Sequence, residues 1–132
     1  NDNYAIKNPF RYQKADRLVY CNFLEHFLLH ILIVEKQKTA EANDGELQGI
    51  GGAVNYICRQ LNDFYNGYEY KQEWRLNVVA VIKNDYDSYI MMLRRLWIDI
   101  KNDTLLSFII KKEDLAKGYA DNIYPKILFA LN

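Results

Sequence analysis

The chain has 132 residues, with 17 basic and 17 acidic side chains, half its residues apolar and 14% aromatic. Zero formal charge excludes a broadly basic nucleic-acid binder, so any such contact must come from a local patch, and charged residues at 26% exclude wholesale disorder. Two cysteines, Cys21 and Cys58, both in apolar surroundings, cannot make a disulfide scaffold; they read as small buried hydrophobes in a reducing, cytoplasmic setting.

The first twenty residues read as extended or irregular. Pro9 biases Asn8 away from helix, and Arg17-Leu18-Val19-Tyr20-Cys21 suits a brief strand or an extended lead-in. Lys7, Arg11, Lys14 and Arg17 form a basic arm interleaved with Phe10, Tyr12 and Tyr20, read equally as a phosphate grip or as a solvated strand. A helix start is signalled at Asn22, which can cap, with Glu25 placed three residues on to close a capping box. The helix from about Phe23 to Glu35 is apolar nearly all round and is expected to be central.

Residues 37–51 read as a loop, with a turn at Asn43-Asp44-Gly45 and with Gly49, Gly51 and Gly52 fraying any early helix. These glycines match no phosphate-binding pattern. A second helix is expected from about Gly52 to Asn66, with Val54, Ile57, Cys58, Leu61 and Tyr65 on its stripe. Tyr65, Tyr68 and Tyr70 gather around the turn that follows; they could stack bases or form an interface, but core-edge positions explain most of the tyrosines. From Trp74 to Ile100 one helical stripe continues, read as one long helix or two end to end with a kink at Asn84-Asp85. Thr104 to Ile110, Asp114 to Tyr119 and Tyr124 to Leu131 complete a mostly α chain: a short extended or β lead-in, a central apolar helix, and an α-helical extension over residues 52–132. No apolar run approaches the roughly 20 residues that span a bilayer.

The chemistry lies in the central helix, Glu25-His26-Phe27-Leu28-Leu29-His30, which holds both histidines of the chain. Four residues apart, their imidazoles leave the same helix face one turn apart, as a shared metal ion requires. The plainer reading is a pair of hydrogen-bonded core histidines, but inside an apolar helix each ring needs a partner. Glu25 is a possible ligand whose place in the first turn fits capping better.

The run from Arg17 to His30 resembles the second half of the HNH (ββα-metal, His-Me finger) endonuclease motif, with its Glu-His-Phe-x-x-His core. The resemblance implies that residues 1–36 are the second half of such a finger, that His26 and His30 ligate a divalent metal ion (Mg²⁺, Mn²⁺, Zn²⁺ or Ni²⁺), and that the partner is DNA, whose phosphodiesters are hydrolysed. Arg17 stands where the family has an asparagine. The family's first strand, which carries the third ligand and the general base, has no counterpart here, so the catalytic residues are unknown. An upstream segment of the same protein, phage- or mobile-element-encoded, is expected to supply it. The alternatives are a non-catalytic helical regulator or inhibitor that keeps the scaffold, and a helical interaction domain with structural histidines. Residues 52–132 would then pack on the finger, bind DNA or form a homodimer.

Overall fold

The computed structural model describes residues 9–17, 19–39 and 49–132. Lys7, Asn8, Leu18 and the turn expected at Asn43-Asp44-Gly45 lie outside the described residues. The architecture is mostly helical: α1 (Phe23–Thr39), α2 (Ile50–Gly52), a π-helical stretch (Ala53–Ile57), α3 (Cys58–Tyr65), α4 (Glu73–Ala80), α5 (Tyr86–Lys101), α6 (Thr104–Ile109) and α7 (Pro125–Ala130). The only β pairing among the described residues is an isolated antiparallel bridge, Lys117 to Ile123. The lead-in coils into two 3₁₀ turns, Phe10–Gln13 and Ala15–Arg17. Among the described residues no helix is long and apolar enough to cross a membrane.

The start of α1 is fixed by a reciprocal cap. Asn22 Oδ1 accepts the Glu25 backbone N–H at 2.8 Å, and Glu25 Oε2 accepts the Asn22 backbone N–H at 3.1 Å. The helix is not buried all round. Leu24, Phe27, Ile31 and Val34 form one stripe that faces α5 and the π stretch, while Leu29, Leu32 and Ile33 are exposed. The correction follows from packing: neighbours cover only one side of this helix among the described residues.

The second helical segment begins at Ile50, earlier than its glycines suggest. Gly49 adopts φ +93° and turns the chain into α2. The π stretch then brings Ala53, Val54 and Ile57 all into the core. At its far end α3 closes in a Schellman arrangement: Tyr68 N–H reaches Asp63 C=O and Gly67 N–H reaches Phe64 C=O, both at 3.0 Å, with Gly67 at φ +93°.

The long stripe of Trp74 to Ile100 is broken into α4 and α5. Ile82 is fully buried, and its carbonyl accepts the Tyr65 hydroxyl at 2.8 Å and the Asp85 N–H at 3.1 Å. A continuous helix needs that carbonyl for residue 86, so the helix ends and restarts at Asp85. Tyr89, Ile90, Leu93, Leu96 and Ile100 of α5 line the core, where the Tyr89 ring stacks on Phe27 at 5.7 Å.

One buried polar side chain ties three segments together. Asn62 Nδ2 donates to the carbonyls of Leu115 and Lys117, both at 2.8 Å, and its Oδ1 accepts the Tyr89 hydroxyl at 2.6 Å. Every polar atom of the amide group is satisfied, so the burial costs little and locks α3 against α5 and the 3₁₀ turn Lys112–Ala116. Cys58 is also buried, its thiol pushed up to about 12 by desolvation. Cys21, expected inside, is exposed just ahead of the helix cap.

Candidate metal centre and an adjoining aromatic cavity

His26 and His30 converge on one face of α1. Their Nε2 atoms are 3.2 Å apart, and the ring centroids are 4.9 Å apart with planes tilted by 58°. His30 Nδ1 lies 2.7 Å from the carbonyl oxygen of Gly49. A carbonyl only accepts, so Nδ1 carries the proton and Nε2 of His30 presents its lone pair to His26. This is the outer partner that fixes tautomer and orientation in metal-ligating imidazoles. Gly52 makes room for the ring: a Cβ there would lie 2.7 Å from His30 Cε1 and 3.3 Å from its Nδ1.

The spacing fits a shared ion. Two metal–nitrogen bonds of about 2.0–2.1 Å at a tetrahedral angle separate their nitrogens by about 3.3 Å. Partial burial lowers the pKa of His26 from its ordinary value, and the neighbouring His30 lowers it further. Both effects favour the neutral ring that a metal binds. The pair stands alone, however: among the described residues no group of three or more His, Cys, Asp or Glu side chains is placed to hold a metal. Glu25 is engaged in the helix cap, and neither cysteine joins the histidines.

Of the basic arm, Lys7 lies outside the described residues. Arg11 and Lys14 are exposed on and beside the first 3₁₀ turn, and Arg17 ends the second. Gly49 and Gly52 were missed by sequence reasoning as supports of the site. Their only sequence signal is a glycine cluster with no phosphate-loop pattern, and the contact that explains it comes from a helix some twenty residues away.

Beyond the amino-terminal end of α1 lies a cavity of about 630 Å³, lined by Phe23, Asp63, Tyr68, Tyr70, Trp74, Arg75 and the 119–124 segment. Trp74, expected on a core stripe, is 60% exposed at this cavity. The breaking of the long helix turns α4 away from the core and frees the indole. Asp63 Oδ1 accepts the Tyr124 hydroxyl at 2.6 Å, and Oδ2 accepts the Tyr119 backbone N–H at 3.2 Å. That hydrogen bond to Asp63, with burial, pushes the Tyr124 hydroxyl up to about 12. Compared with protein-family models, curated proteins and solved structures, the chain matches none.

Proposed function

We propose that this chain carries the helix-borne half of a divalent-metal site of the HNH endonuclease type, acting on DNA phosphodiesters. One observation carries the reading: His30 is held through Nδ1 by the Gly49 carbonyl, while its Nε2 and that of His26 face one another at 3.2 Å. His26 and His30 would hold the ion. When bound, it would neutralise charge on a phosphodiester and stabilise the departing oxygen. Imidazole donors suit Zn²⁺, Ni²⁺ or Mn²⁺ better than Mg²⁺. The exposed arm residues Arg11 and Lys14, with Lys7 and Arg17, would meet neighbouring phosphates. The third ligand and the group that takes the proton from water would come from an upstream segment. A reducing compartment such as the cytoplasm would keep the exposed Cys21 a thiol.

A second reading rests on the exposed Leu29, Leu32 and Ile33. They suit a helical regulator with a protein partner, in which the His26–His30 hydrogen bond is the pair's whole role. Calorimetric titration with Zn²⁺ and Ni²⁺ separates the two. The nuclease-type site binds one ion per chain, and His26→Ala or His30→Ala abolishes binding while helical circular dichroism persists. Unchanged uptake in both variants rejects the metal assignment.

A further inference from the structure

The cavity beside α1 is built of parts that a cation site does not use. Tyr68 and Tyr70 meet edge to face with centroids 5.0 Å apart. The Arg75 guanidinium lies 5.5 Å from the Tyr70 ring centroid and 5.0 Å from that of Trp74. Arg75 makes no ion pair with any described residue. Its charge at the cavity, held beside the two rings, is therefore available to an anion.

At the inner wall, Asp63 accepts one hydrogen bond on each oxygen, which leaves a lone pair on each for a donor of the ligand. The backbone leading into the 119–124 wall is tied down. Arg59 donates to the Gly118 carbonyl at 3.3 Å and to Asp121 Oδ1 at 2.6 Å. Asp121 itself sits at φ +54°. Gly118 lies so close beneath Asp63 and Tyr124 that a Cβ there would come within 2.5 Å of the Tyr124 hydroxyl. Aromatic faces, one hydrogen-bond-accepting carboxylate and one unpaired guanidinium make a receptor for a flat, amine-bearing, anionic ligand.

We propose that this cavity receives a single unstacked nucleobase, its ring against Tyr68, Tyr70 and Trp74, its amine on Asp63 and its phosphate on Arg75. Phe23 of the cavity wall and His26 of the metal pair are three residues apart on α1, neighbours one turn apart on the helix surface. The cavity and the imidazoles therefore adjoin along α1. The choice of a polynucleotide over a free nucleotide rests on the nuclease reading; the base pocket itself does not. Adenine, cytosine and guanine offer Asp63 an exocyclic amine, whereas thymine offers only its ring N3–H, so thymidine monophosphate is expected to bind more weakly.

The test uses the whole chain in EDTA, so that no metal contributes. Trp74 fluorescence in a Trp97→Phe background is titrated with AMP, CMP, TMP and a single-stranded cytosine oligonucleotide. Amide chemical shifts of Gly118 and Ala120 in the unmodified protein give a second readout if that variant folds poorly. Saturable quenching by AMP and CMP is expected, weakened about tenfold by Tyr70→Ala and by Arg75→Gln. Tighter binding of the oligonucleotide identifies a strand as the ligand; equal affinity identifies a free nucleotide in the same pocket. No quenching and no amide shifts at millimolar nucleotide, or binding indifferent to both pocket substitutions, overturns the proposal and leaves the metal reading to its own titration.

Discussion

Replacing Gly52 by alanine separates a metal site from a merely packed histidine. The added Cβ would lie 2.7 Å from Cε1 of His30, so the ring must retreat by about 0.8 Å to reach an ordinary carbon–carbon separation of about 3.5 Å. A shift of that size stretches the 2.7 Å contact between Nδ1 and the Gly49 carbonyl by up to about 0.8 Å, which weakens or breaks the hydrogen bond. It also takes Nε2 out of register with His26. The ring is half-buried and can swing aside, so the fold loses little. Alanine's helix propensity, worth up to about 1 kcal/mol over glycine, offsets much of the local strain. Losing such an outer partner lowers metal affinity about 10–100-fold. Gly51→Ala is the control, because its Cβ meets nothing closer than Asn55 Nδ2 at 4.0 Å. It should raise stability slightly and leave metal uptake unchanged. Zn²⁺ calorimetry and urea unfolding on both variants make the assay. Wild-type affinity in Gly52→Ala refutes the claim that the held ring is poised for a metal; a large stability loss without a metal effect identifies His30 as packing alone.

Three further outcomes follow from the same structure. Asn62→Ala strands the Tyr89 hydroxyl and the Leu115 and Lys117 carbonyls, which should cost about 3 kcal/mol or more in urea unfolding; a loss below about 1 kcal/mol shows that water replaces the amide. His26 has a folded-state pKa below its ordinary 6.5, so the unfolded chain binds more protons in that window. Stability is then full above about pH 6.5 and falls as pH drops through the folded value, and Zn²⁺ affinity falls with it. His26→Gln should flatten the stability profile there, and an unchanged profile assigns the dependence elsewhere. Thiol titration with an aromatic disulfide should consume the exposed Cys21 at once and Cys58 only after unfolding; two fast equivalents would show that the core opens readily.

Much of the helical architecture was legible because it depends on near neighbours. The reciprocal bond of Asn22 and Glu25 spans three residues, and the Asn66-Gly67 stop is local chemistry. Contacts between distant segments were not legible. The Trp74–Ile100 stripe breaks where the Ile82 carbonyl accepts the Tyr65 hydroxyl from seventeen residues away. Gly52 is a glycine because of a histidine on another helix, and only the fold brings Phe23, Asp63, Trp74 and Tyr124 to one cavity. The apolar run of α1 was read as burial on every side because composition does not tell which side the neighbours occupy. The histidine spacing was visible, but the partner that orients His30 sits on a backbone carbonyl that no side-chain pattern reveals.

The most direct measurement is the ¹⁵N NMR of the two imidazole rings as Zn²⁺ is added. Both Nε2 resonances are expected to move together and saturate at one ion per chain, with Nδ1 of His30 still protonated toward Gly49. Nε2 signals that stay in place, or that move on one ring alone, would contradict a cation held jointly by His26 and His30.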